Sequence, residues 1–190
     1  MKYLFLMGVF LIIGCTSVLA KQDNFREWQE EVKLNDGRVI VVTQKKRCEG
    51  AYTGGNYAPC IAREAWLTMN LPEFSDKPII WHESLSPRIV NSHDGQLFIV
   101  GMFPTLREFK LYGEPKPPYI GFVWKENTWQ RIPFEAIPEA IYDVNMLMEG
   151  IPPEGIKYLS IEKKESKEIN GDRRIRKSQK RLDPSRKWGN

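Results

Sequence analysis

The sequence predicts an all-β, antiparallel domain, a sandwich or a partial barrel, with a short helical segment and a basic C-terminal tail. Three observations carry this expectation. Apolar and polar residues alternate at period two from Trp28 onward, turn signatures such as Asp36-Gly37 and Asp94-Gly95 separate the runs, and no helical period intervenes. A composition of 42% hydrophobic and 12% aromatic residues excludes disorder throughout. Only the first 20 residues approach a membrane-like composition, which excludes a multi-pass membrane protein.

The first strand places Trp28, Val32 and Leu34 on one face and Gln29, Glu31 and Lys33 on the other. Asn35-Asp36-Gly37 is a hairpin signal, since glycine and aspartate tolerate the positive φ of tight turns. The return run Arg38 to Thr43 is continuous and β-branched, so coverage of both faces is expected, with Lys45, Lys46 and Arg47 ending it. Glu49 to Pro59, rich in glycine, reads as a flexible loop between Cys48 and Cys60. A third strand places Ala65, Leu67, Met69 and Leu71 opposite Trp66, Thr68 and Asn70, and Pro78 to Glu83 forms a short fourth.

Arg88 to Val90 and Gln96 to Val100 flank the second Asp-Gly turn, and Phe109 to Tyr112 reads as an edge strand. Glu114 to Pro118 is an extended proline lead-in to the Tyr119 to Trp124 strand. Lys125-Glu126-Asn127 then turns the chain into Thr128 to Ile132, and Trp124 and Trp129 face each other across the turn. Phe134 to Tyr142 suits one or two helical turns around Pro138.

The amino terminus has the build of an export signal. Lys2 precedes an apolar run of 11 residues, Tyr3 to Ile13, too short for a bilayer core of about 30 Å. Ile12-Ile13-Gly14-Cys15 resembles the lipobox of bacterial lipoproteins, in which the cysteine is acylated with chains such as palmitate and becomes the first mature residue. Val18-Leu19-Ala20 is a competing ordinary cleavage site that would release a soluble periplasmic or secreted protein. The expected organisation is a lipoprotein-type signal peptide at 1–14, a lipidated tether at 15–27, the β domain at 28–153 and the basic tail at 154–190. Thr16, which is not aspartate, leans the sorting toward the outer membrane, facing the periplasm. Export to an oxidising compartment makes a Cys48–Cys60 disulfide the expected state of the remaining cysteines, contributing roughly 3 kcal/mol.

Catalytic chemistry finds little foothold. His82-Glu83 lies on a strand with side chains on opposite faces, and His93-Asp94 lies at a hairpin tip where Asp94 serves the turn. The two histidines with Glu83 or Asp94 match no metal-ligand spacing, and neither a G-x-S-x-G elbow nor a phosphate-binding glycine loop is present. No catalytic residue, metal or cofactor is assigned. Trp66, Trp81, Trp124 and Trp129 are weighed as a sugar or peptide groove, with core packing the more frequent role for such strand residues.

The chain's net charge of +4 is unevenly placed. Residues 162–190 carry 11 Lys or Arg against five Asp or Glu, leaving −2 for residues 1–161. Arg173, Arg174, Arg176, Lys177, Lys180 and Arg181 form the candidate anionic-surface segment, directed at lipid head groups or lipopolysaccharide rather than nucleic acid.

The run Glu30 to Val42, the segment Pro117 to Trp124 and the segment Trp129 to Pro133, together with Leu71-Pro72 and Ile80-Trp81, resemble a family of uncharacterised proteobacterial exported proteins and lipoproteins. The resemblance implies envelope location and a β domain and transfers no catalytic residue. The functional expectation is a lipid-anchored envelope protein with a binding or structural role towards a protein or envelope polymer. The contrasting expectation is an enzyme acting on envelope glycan or lipid through Glu83, Asp94 or the histidines.

Overall fold

The computed structural model describes residues 24–53, 56–147, 151–170 and 180–189. Among the described residues, nine strands form two sheets. The first has the order β4-β3-β2-β1-β9, from β1 (Asn24–Lys33), β2 (Val39–Thr53), β3 (Asn56–Met69), β4 (Ile79–Glu83) and β9 (Tyr158–Leu159). The second has the order β5-β6-β7-β8, from β5 (Ser86–His93), β6 (Gln96–Met102), β7 (Tyr119–Lys125) and β8 (Thr128–Ile132). All neighbours are antiparallel except β9, whose two residues run parallel to β1. The architecture is a sandwich and not a closed barrel.

The turns obey their local chemistry. Gly37 takes φ +87°, and Asp36 Oδ1 accepts from the Arg38 N–H at 3.0 Å. Asp94 and Gly95 both adopt positive φ, as do Glu126 and Asn127 in the β7–β8 turn.

Between the sheets, Val32, Val42, Leu67, Met69 and Trp81 of the first pack against Leu97, Ile99 and Phe122 of the second. A second core lies behind the second sheet. Phe98, Val100 and Val123 point there and are covered by Phe134, Ile137, Ile141 and Tyr142, with Leu182 returning from the tail. The cover is built from two 3₁₀ turns, Phe134–Ala136 and Glu139–Ile141, on either side of Pro138. The centre of the second sheet, at β6 and β7, is therefore buried on both faces, which explains the unbroken apolar run of β6.

Four expectations change. The double-sided coverage expected for Arg38 to Thr43 belongs to β6 instead, since Val39 and Val41 on β2 are 51% and 46% exposed on an open face. Strand β2 does not end at Lys45-Lys46-Arg47. Alternation continues through the charges, with Gln44, Lys46 and Cys48 inward and Lys45 and Arg47 outward. The expected Glu49 to Pro59 loop is mostly hairpin, pairing Ala51 with Ala58 and Thr53 with Asn56, and Cys48–Cys60 is a disulfide across it.

Phe109 to Tyr112 is not an edge strand but lies at the end of helix α1 (Leu106–Leu111). Thr105-Leu106-Arg107-Glu108 has the sequence of a capping box, and Thr105 is the N-cap: its Oγ1 accepts from the Arg107 N–H and donates to the Glu108 carboxylate.

The described residues beyond 153 pack on the domain. Leu159, Ile169 and Leu182 are buried, helices α2 (Ile161–Glu165) and α3 (Lys167–Asn170) follow β9, and Trp188 stacks on Phe109 at 4.8 Å. An apolar residue every ten or so positions shows no stripe in sequence, yet each fills a gap in an existing surface.

Gly121 on β7 permits the cover's close approach. A Cβ there would lie 2.7 Å from Ile137 Cγ1 and 2.8 Å from Ile132 Cγ1. Gly121→Ala is expected to cost about 1–3 kcal/mol through overpacking, read as a lower urea midpoint at unchanged slope. An unchanged midpoint would show that the cover yields freely at this point.

Candidate functional site

The inner face of the first sheet carries three polar residues where core is expected. Period two puts Glu30 between Trp28 and Val32 on β1, and Gln44 and Lys46 between Val42 and Cys48 on β2. Glu30 has no exposed surface, and Gln44 and Lys46 are each about 1% exposed. Such groups are tolerated only with partners. Glu30 Oε1 accepts from Gln44 Nε2 at 2.7 Å, and its Oε2 accepts from the Leu147 N–H at 3.2 Å. Lys164, brought by α2, places Nζ 3.9 Å from Glu30 Oε2 and donates to the Asn145 carbonyl at 2.7 Å.

Local chemistry delivers these last partners. Strand β9 pairs Gln29 with Tyr158 and Glu30 with Leu159, fixing where α2 begins. Ser160 caps α2 by accepting from the Lys163 N–H at 3.1 Å, and Glu31 accepts from the Ile161 N–H and the Tyr158 hydroxyl. Asn145 clamps the preceding segment, donating to the Lys33 and Val90 carbonyls and accepting from the Val90 N–H.

Burial dominates the electrostatics. It pushes the Glu30 carboxyl up, against the opposing pull of Lys164, Gln44 and the Leu147 N–H. It pushes the Lys46 ammonium down to about 7, helped by Arg88 and opposed by Glu30. The Lys164 ammonium also lies below its ordinary value, through burial opposed by Glu30 and Glu31. Lys46 additionally lies over the Trp28 ring, 5.6 Å from its centroid.

On the solvent side of Lys164 is a cleft of about 410 Å³, bounded by β1's last residue Lys33, the segment 143–147, α2 and Lys180. Its size suits a small ligand. A second, more open groove of about 470 Å³ surrounds Arg38 and the β5–β6 turn. There Arg38 is occupied by Asp36 at 2.8 Å and Glu73 at 2.6 Å, which leaves its charge already compensated.

The residues weighed from sequence stand apart from this cleft. His82 on β4 meets Glu64 at 3.0 Å and stacks on Trp66 at 4.3 Å, while His93 at the end of β5 meets Asp94 at 3.4 Å. Glu83 is held by Arg131 at 2.7 Å and by the Tyr112 hydroxyl at 2.6 Å. Among the described residues, no group of three or more His, Cys, Asp or Glu is placed to hold a metal ion.

Trp81 is core, and the Trp66 ring is flanked by His82, Phe25 and Lys45. Trp124 and Trp129 pair across their turn at 5.2 Å. Their indole N–H groups donate to the Phe74 and Ile80 carbonyls, sealing the sandwich edge.

Of the anionic-surface set, Lys180 borders the cleft. Arg181 is bound by Asp143 at 2.9 Å and by Glu139 at 3.3 Å and lies over Tyr142. Cys15, Arg173, Arg174, Arg176 and Lys177 lie outside the described residues.

Glu30, Gln44 and Lys46 were within reach of sequence reasoning, because alternation carried through polar residues marks them as inward. Lys164 had no such signal. No protein-family model, curated protein or solved structure matches this chain.

Two substitutions test the cluster. Glu30→Ala strands Gln44, the Leu147 N–H and Lys164 in a buried site and is expected to cost about 3–5 kcal/mol in urea unfolding, with Glu30→Gln milder. Equal, small effects would show that water reaches the site.

Lys46 gives a pH signature. The unfolded chain holds this proton up to its ordinary value of 10.5, whereas the folded chain releases it near 7. Its contribution to stability therefore rises with pH between about 7 and 10.5. Lys46→Met should flatten only part of that rise, because Lys164 acts in the same direction and remains, and should leave stability at pH 7 unchanged or up to about 4 kcal/mol higher. A variant with the wild-type slope would remove Lys46 as its source.

Proposed function

We propose that this protein is a lipid-anchored module of the bacterial cell envelope, held to the outer membrane through acylated Cys15 and facing the periplasm. Its β sandwich binds a protein or an envelope polymer. The lipobox-like Ile12 to Cys15 and the resemblance to exported proteobacterial proteins support the location. The Cys48–Cys60 disulfide is consistent with an oxidising compartment.

The observation that carries the binding role is the cleft beside Lys164. Its back is fixed by hydrogen bonds within the fold, Lys164 by the Asn145 carbonyl and, behind it, buried Glu30 by Gln44 and the Leu147 N–H. Groups held in this way present a fixed surface to a ligand. The separate pairing of His82 with Glu64 and of His93 with Asp94 weighs in the same direction.

The basic residues Arg173, Arg174, Arg176, Lys177 and Lys180 add electrostatic contact with anionic lipid head groups or lipopolysaccharide. Each such residue near a charged surface contributes about 1 kcal/mol, so the tail reinforces the acyl anchor and does not replace it.

The anchor is tested by feeding cells an alkyne analogue of palmitate. The wild-type chain should carry the label and fractionate with membranes, whereas Cys15→Ser should lose both. An unlabelled wild-type chain, or a variant that still sediments with membranes, would remove the lipid anchor and leave cleavage after Ala20 as the export route.

A further inference from the structure

The cleft has two kinds of wall. Val144, Met146, Leu147 and Ile161 supply an apolar side, and Lys33 and Lys180 stand at it from opposite ends of the chain. Among the described residues neither lysine has a carboxylate partner.

Asp143 is engaged by Arg181 at 2.9 Å, and Lys164 lies 3.9 Å from Glu30 and donates to the Asn145 carbonyl. Glu165 adds one carboxylate to the lining, against the two ammoniums of Lys33 and Lys180. The field left over at the cleft is positive beside an apolar surface.

That combination selects among ligand classes. Among the described residues no aromatic ring lines the cleft, so a neutral sugar has no face to stack on there. A cation would meet Lys33 and Lys180. Lysine ammoniums are compact point charges on flexible stems, suited to a single anionic head group with an apolar body beside it.

Resting on the cleft as the binding site, we propose that it takes a small amphiphilic carboxylate, with the head group between Lys33 and Lys180 and the short acyl body against Val144, Met146, Leu147 and Ile161. Lys164, held by Glu30 and the Asn145 carbonyl, forms the back of the cleft and stays in place.

The test uses the full chain carrying Cys15→Ser, titrated with octanoate, octylammonium and acetate while backbone amides are followed by NMR. Octanoate should shift the amides of Met146, Leu147 and Ile161 saturably, and acetate at equal concentration should not. Lys33→Glu with Lys180→Glu, both at exposed positions, should weaken octanoate at least tenfold while amides remote from the cleft keep their shifts.

Octylammonium binding equally well at those amides, or octanoate binding undiminished in the double variant, would overturn the carboxylate class and leave the cleft as a site. Failure of all three probes to move the cleft amides would overturn the cleft as the binding site as well.

Discussion

Glu30 is where three distant parts of the chain meet. It sits on the inner face of β1, receives the Gln44 amide from β2, the Leu147 N–H from the segment that leaves the second sheet, and the Lys164 ammonium from α2. A buried carboxylate without such donors is untenable, so the C-terminal segment has a defined place to dock and a cost for leaving it. The cleft exists because of that docking. Its floor is the backbone carrying Met146 and Leu147, and its back wall is the helix carrying Lys164.

The sandwich is asymmetric in a way that follows from its cover. The second sheet lies between the first sheet and the two 3₁₀ turns, so β6 can be apolar on both sides. The first sheet has nothing over its outer face among the described residues, and Phe25, Val39, Val41 and Ile80 remain exposed there beside Lys45 and Arg47. Charged neighbours on an open sheet face limit edge-to-edge and face-to-face association. At the sandwich edge, the Trp129 N–H occupies the Ile80 carbonyl of β4, and Arg131 ties β8 to Glu83. Both contacts close a strand that would otherwise offer free acceptors.

Charge is arranged by the same logic. A near-neutral body carries a cationic C-terminal stretch, but the stretch is not uniformly free. Arg181 is spent on Asp143 and Glu139, Leu182 enters the second core, and Trp188 joins Phe103 and Phe109. Lys180 is left at the cleft without a carboxylate partner among the described residues, as is Lys33. Basic residues counted in a sequence are thus divided between structural ion pairs and a positive field available to a ligand.

The sequence by itself determined the central parts of β1 to β8, three of the hairpin turns, the inward set Trp28, Val32, Leu67 and Met69, and the cysteine pairing. Each of these is written in nearest-neighbour stereochemistry: period two, positive φ at Asp-Gly, and short separation between cysteines. It also contained the inward places of Glu30, Gln44 and Lys46, which alternation marks even though their charge and polarity argue for solvent. Helix α1 was similarly present in Thr105-Leu106-Arg107-Glu108, obscured by the strand-like Phe109-Lys110-Leu111-Tyr112. Only the tertiary structure decided which sheet is covered on both faces, where Lys164 lands and that a cleft opens beside it. The Leu147 N–H and the Glu30 carboxylate are 117 residues apart, and no local pattern links them. They meet because burying a carboxylate requires donors from wherever the folded chain can supply them.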